Sequence, residues 1–273
     1  MFRLYQVQLV KGDFYLARAD SESAAGADAN ANRGSIYFTG QDGDTLPAAV
    51  NQNFPVIYAV PNAVQDPAGA AATLAPVLGM TVSTLDKILT SGSSYRLLVD
   101  RADASMAQQV TDDNIRGIYA DYEPERYYPF GPVASQVLGY VGPDASDAGE
   151  SGHYGIESLD NSVLAGGADV TLTIDPNVQI EAEKVLDALV AANNATGGSV
   201  IVEDPITGKV LAMGATPSFD PNEYASSSLA NFLNPNVQSI YEPGSIMKVL
   251  TMAAGIDSGG ITPDSSYDDK GYV

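Results

Sequence analysis

Residues 241–256, Tyr-Glu-Pro-Gly-Ser-Ile-Met-Lys-Val-Leu-Thr-Met-Ala-Ala-Gly-Ile, read as a nearly all-apolar helix opened by a tight Pro243-Gly244 turn. A helix that is apolar all round is expected to be buried. Past the turn its polar side chains are Ser245, Lys248 and Thr251, spaced three apart and so stacked along one edge. An ammonium buried there without a partner costs several kcal/mol, comparable to the stability of a whole domain. Lys248 is therefore expected to be paired, neutral or lining a cavity.

The chain has 273 residues, 45% of them hydrophobic, enough to bury a core and to hold two domains. Its 34 acidic against 13 basic residues leave a net charge of −21, which argues against nucleic acid or an anionic membrane surface as a partner. Such acidity reads as a solvated surface, suited to a salty medium. There is no cysteine, so disulfides, thiolate chemistry and zinc–cysteine sites are excluded. The single histidine, His153, lies in a Gly/Ser-rich stretch read as a loop, so no imidazole metal cluster and no cofactor is expected. No run of 18 or more apolar residues occurs, and the first residues lack the apolar core of a signal peptide.

Taken in order, residues 1–17 are ambiguous between helix and strand, and residues 19–32, without a large apolar side chain, read as a linker. Strands are expected at 35–38 and 54–60, with a reversal at Asp42-Gly43 between them. Asp66-Pro67 signals a capped helix stopping at Gly79, and a second short helix is expected over 84–90. Strand, helix and strand follow at 95–99, 104–110 and 117–122. A short helix begins at Gly155, a strand covers 170–174, and Asp175-Pro176 repeats the cap signal before a helix with an apolar stripe at Val178, Ala182, Val185, Leu186 and Leu189. Residues 199–202 and 210–213 are expected to pair as an antiparallel hairpin. A Pro-, Ser- and Asn-rich crossing, 217–236, then leads to the opening helix.

A serine hydroxyl becomes a nucleophile when something takes its proton, and Lys248 lies one turn from Ser245. In an apolar pocket desolvation disfavours the charged amine, and a neutral lysine can act as general base. The helix start adds free N–H groups and a positive dipole end for a developing oxyanion. This is the sequence's one Ser-x-x-Lys, it follows Pro-Gly, and its helix is otherwise apolar. The structural alternative makes Ser245 an N-cap and sends Lys248 to a carboxylate such as Glu242. A Ser-His-Asp triad through His153, a metal site at Asp268-Asp269-Lys270 and a calcium loop at Asp42-Gly43-Asp44 are weaker readings; the two acidic clusters read as turns.

Several separated segments together resemble the class B penicillin-binding proteins, the D,D-transpeptidases that cross-link peptidoglycan. They are Arg33-Gly34-Ser35-Ile36-Tyr37, Tyr128-Pro129, Ala134-Ser135-Gln136-Val137-Leu138-Gly139-Tyr140-Val141-Gly142 and Gly155-Ile156-Glu157. Leu172-Thr173-Ile174-Asp175, the stretch from Asp204 to Met213, and Tyr241-Glu242-Pro243-Gly244-Ser245 through Lys248 continue the series. The resemblance implies an α+β architecture: an N-terminal segment and linker (1–32), an elongated mixed pedestal (33–166), and the first part of a penicillin-binding, serine β-lactamase-like transpeptidase domain (167–273). It casts Ser245 as the acylated nucleophile and Lys248 as its proton-transfer partner. It implies stem peptides ending in D-Ala-D-Ala as substrate, β-lactams as ligands, and a site of action outside the cytoplasmic membrane. A membrane anchor helix and a membrane glycosyltransferase partner go with the family.

Two departures stand out. The family usually carries Asp-Arg where this chain has Phe38-Thr39, and the turn that follows is longer here. Its later Ser-x-Asn and Lys-Thr-Gly motifs do not occur after Ser245. The chain is thus expected to be an inactive fragment lacking anchor and most of the catalytic domain, with the part after Gly166 marginally stable alone. The alternatives are a non-catalytic scaffold docking a glycosyltransferase and, less favoured, a serine β-lactamase or penicillin sensor.

Overall fold

The computed structural model describes residues 33–144 and 149–271. The expectations for residues 1–17 and 19–32 lie outside the described residues. Two compact units divide the chain, one ending at Asn236 and one from Val237 onward.

In the first unit a short strand, β1 (Ile36–Thr39), turns through Gly40–Asp44 into the long strand β2 (Thr45–Ala59). The reversal closes with Gly40 N–H donating to Asp44 O at 2.8 Å. Gly43 sits at φ +81°, a left-handed conformation open to glycine at no steric cost. β2 is antiparallel to β1, to β3 (Arg96–Val99) and, over its second half, to β4 (Ile118–Tyr127). A two-residue strand, β7 (Val170–Thr171), returns parallel to β1.

Local signals account for the first helices. Asp66 accepts from Gly69 N at 3.0 Å and Pro67 opens α1 (Pro67–Leu78), which Gly79 closes at φ +64°. α2 (Val82–Leu89) begins earlier than expected because Thr81, not a later residue, is its cap, accepting from Thr84 N at 3.2 Å. α3 (Ala104–Asp113) ends at Asn114, also left-handed. Their apolar faces, led by Leu74, Leu85, Leu89 and Val110, pack with Ile57, Ala59 and Ile118 of the sheet into one core.

A second core gathers Ile36, Phe38, Leu138, Leu164, Ile174, Phe219 and Phe232, from both sides of Gly166. It joins β1 to α4 (Ser135–Leu138), the hairpin β5 (Tyr140–Pro143) and β6 (Glu150–His153), and α5 and α6 (Gly155–Leu159, Asn161–Ala165). Here Phe38 replaces a polar residue with core: it is fully buried and meets Phe130 edge to face at 5.5 Å. Thr39 meanwhile donates its hydroxyl to Leu172 O at 2.7 Å.

Beside this core lies a charged knot. Glu157, fully buried, receives Arg33 Nη2 at 2.6 Å, Arg126 Nε at 2.7 Å and the Tyr128 hydroxyl at 3.2 Å. Arg33 also reaches Asn161, and Arg126 reaches Gly34 O and Asn51, so one carboxylate ties segments more than a hundred residues apart. Burial beside that carboxylate pushes the Tyr128 hydroxyl well above the usual tyrosine range. Two guanidiniums face one carboxylate, and Arg126 Nη2 is buried with no hydrogen-bond partner.

α7 (Pro176–Ala192) is capped by Asp175, which accepts from Asn177 and Val178 N–H. Against it lies the expected antiparallel hairpin, β8 (Gly198–Glu203) and β9 (Val210–Thr216). Gln179, fully buried on α7, pairs like a neighbouring strand with Met213: Nε2 donates to its O at 2.9 Å, and its N–H donates to Oε1 at 2.8 Å. The turn between β8 and β9 is held by Asp204, which accepts from the Thr207 hydroxyl and the Ile206 N–H; these bonds hold its carboxyl below the usual range. The crossing after β9 contains 3₁₀ turns at Pro221–Ser226 and Leu229–Phe232 and runs into α8 (Pro235–Gln238).

Candidate active site

The second unit holds the Ser-x-x-Lys segment. Pro243 is near-helical, Gly244 turns at φ +58°, and a 3₁₀ turn (Gly244–Ile246) carries Ser245 directly into α9 (Met247–Asp257). Proline fixes its own φ and glycine supplies the positive φ, so the Pro-Gly pair specifies the turn that presents Ser245 ahead of the helix. Lys248 follows three residues on, and Thr251 turns its hydroxyl back to Met247 O at 3.1 Å. A spacing of three places Ser245 and Lys248 on one side of the helical path, beside the unbonded N–H groups of the first turn.

The expected burial is not found. Every residue of 245–254 is exposed, including Lys248, and the apolar side chains Val249, Leu250 and Met252 are 72%, 61% and 55% exposed. An apolar helix is buried by what packs around it, and no described residue covers this one. Lys248 is therefore solvent-exposed. The structural alternative is not realised either. Neither Ser245 nor Lys248 makes a side-chain hydrogen bond or ion pair among the described residues, Glu242 does not reach the lysine, and no side chain caps α9. Both side chains are thus without a described partner.

The other candidates resolve into structure. His153 is not a loop residue: it ends β6, pairs with Tyr140 across the hairpin and stacks on its ring at 5.2 Å, with Nε2 at 3.0 Å from Pro143 O. The loop reading failed because Ser151-Gly152-His153 has strand partners in Tyr140-Val141-Gly142 that composition does not reveal. Asp269 accepts from Gly271 N–H in an exposed turn. Among the described residues no group of His, Asp and Glu is arranged to hold a metal. A groove of about 630 Å³ runs between α7 and β8, lined by Val178, Ala182, Val185, Leu189, Val200 and Val202. Its lining is mainly apolar and also includes Asn177, Glu181 and Ser199. Sequence reading also passed over the buried amides Gln136 and Gln179, whose roles lie in long-range hydrogen bonds without a local signature.

Comparison with known proteins bears on both units. The model of the penicillin-binding protein dimerisation domain matches residues 28–209, and that of the penicillin-binding protein transpeptidase domain matches residues 198–273. Stage V sporulation protein D of Bacillus subtilis is 27% identical over 99% of this chain and 46% of its own length. The peptidoglycan D,D-transpeptidase FtsI of Escherichia coli is 25% identical over 99% of this chain and 50% of its own. A crystal structure of a peptidoglycan synthetase from Bifidobacterium adolescentis superposes with a TM-score of 0.51 at 26% identity, covering 86% of this chain and 51% of that one. The chain spans about half the length of the curated relatives it matches.

Proposed function

Since the chain belongs to the class B penicillin-binding proteins, we propose that it carries the nucleophile half of a peptidoglycan D,D-transpeptidase. Ser245 Oγ attacks the carbonyl between the two terminal D-Ala residues of a stem peptide, and Lys248 Nζ takes the serine proton. That proton passes to the departing D-Ala amine as the peptide bond breaks, leaving an ester on Ser245. The amine of a neighbouring stem then attacks the ester and frees the serine. β-Lactams acylate the same oxygen through their strained amide. The observation that carries this reading is the Ser245–Lys248 pair at the start of α9, both side chains unpartnered, within the region matched by the transpeptidase family.

The lysine works as a base once it is neutral, a form that an apolar wall around Lys248 would favour. Polypeptide corresponding to the second half of the relatives would supply it, along with the Ser-x-Asn and Lys-Thr-Gly groups. The substrate places the enzyme in the cell envelope, facing the wall; among the described residues no helix is long and apolar enough to cross a membrane. A membrane glycosyltransferase that polymerises the strands to be cross-linked is the partner this chemistry calls for. The test is fluorescent penicillin labelling of the protein extended to the length of its relatives. Labelling is expected in the parent and absent in Ser245→Ala; label persisting in that variant would overturn the assignment.

A further inference from the structure

Glycines stand near both ends of α9, and they are needed for different reasons. Toward its end Gly255 gives room: a Cβ there would come within 2.7 Å of Ile261 Cδ1, and the Ile261 N–H closes the helix on Gly255 O at 3.3 Å. Gly244, just before the helix, gives conformation. Its φ is +58°, and a Cβ built on it meets nothing within 4 Å. Among the described residues no neighbour requires glycine at this position, so the requirement lies in the backbone angle alone.

The residues on either side show what that angle does. Pro243, at φ −71° and ψ −23°, and Met247, at φ −65° and ψ −17°, are both right-handed, so Gly244 is the break between the incoming chain and the helical path. The Met247 N–H donates to Gly244 O, which makes that carbonyl the first acceptor of the path. Ser245 stands directly after the break, with its N–H free of any intrahelical bond. A proline is well suited to the first position of a helix. With a right-handed residue at 244 the helix would therefore start at Pro243, and Ser245 would become its third residue, its N–H within a 3₁₀ step of Glu242 O. We infer that Gly244 is a positioning residue for acylation: its left-handed backbone keeps the helix from running back through Pro243 and so holds Ser245 at the helix start. This inference rests on the proposed role of Ser245 and stays within the unit from Val237 onward.

The test uses the enzyme extended to the length of its relatives, in three forms: parent, Gly244→Ala and Gly244→Asn. Alanine is the smaller side chain but resists the left-handed region, whereas asparagine is larger and tolerates it, so conformation and space call for opposite orders. Penicillin acylation is followed under single-turnover conditions. NMR of methionine-labelled enzyme follows the Met247 amide, with Met213 of β9 as reference. The limiting acylation rate should fall about ten-fold in Gly244→Ala and about three-fold in Gly244→Asn, with the half-saturating penicillin concentration unaltered. The Met247 resonance should move in Gly244→Ala, move less in Gly244→Asn, and leave Met213 in place. Equal rates in the three forms overturn the inference, and so does Gly244→Asn slower than Gly244→Ala, which would make the requirement one of space. A slower rate with Met247 unmoved overturns it too, as does a displaced Met213, the mark of a general fold defect. If the parent itself is not acylated, the reading of Ser245 fails, while the Met247 resonance still decides whether Gly244 sets the turn.

Discussion

Arg126 and Lys248 are both long cations, and their surroundings are opposite. Arg126 lies buried at the end of β4, bonded to Glu157, to Gly34 O and to Asn51. Lys248 lies exposed near the start of α9, with no partner among the described residues. The sequence around each suggests the reverse, since β4 alternates charges with tyrosines whereas α9 is nearly all apolar. The contrast shows that a buried charge is licensed by its partners and not by the hydropathy of its own segment. Where the partners exist the charge builds the fold, and where they do not it stays in solvent.

Removing the shared carboxylate breaks the comparison most severely. Glu157→Ala leaves two buried guanidiniums without a counter-charge, and denaturant unfolding should show a loss of about 3–5 kcal/mol. A loss below about 1 kcal/mol would mean the knot is wetter than its burial indicates.

Glu183 tests an intermediate case. It accepts from Ala134 N–H and from Gln179, and desolvation raises its carboxyl above the usual range despite those two bonds, with Asp187 adding to the rise. A group raised on folding contributes stability below its unfolded pKa and loses that contribution as pH climbs through its folded value. Glu183→Gln keeps the acceptor and removes the charge. It should therefore unfold at higher denaturant than the parent at pH 7, with the gap closing as pH falls through the carboxylate range. A gap that widens on acidification would reverse the assignment.

The smallest effect is expected where the comparison predicts none. Lys248→Ala, at an exposed and unpartnered position, should leave unfolding of this chain within about 0.5 kcal/mol of the parent. A larger loss would show that the lysine serves the fold.

What could be read in the sequence was mostly local. Asp66-Pro67, Asp175-Pro176 and the Asp204 turn each satisfy backbone groups within a few residues, and each produced the element expected. Thr81 was not read as a cap, so α2 was expected to start at 84 although its apolar stripe already opens at Val82. The knot at Glu157, the strand-like pairing of Gln179 and the place of His153 depend on partners brought together by topology, which no local pattern encodes. At the candidate site, residue identity and spacing were legible from Ser245-x-x-Lys248 and the family motifs, but environment was not. The expected burial of α9 followed from its own composition, while burial is a property of what surrounds a helix.

The proposal that Ser245 is the acylated nucleophile is tested most directly by mapping a penicillin adduct by peptide mass spectrometry on the enzyme extended to the length of its relatives. The account predicts a single adduct on the peptide that contains Ser245, absent from Ser245→Ala. An adduct on another residue, or none on a folded enzyme, would contradict it.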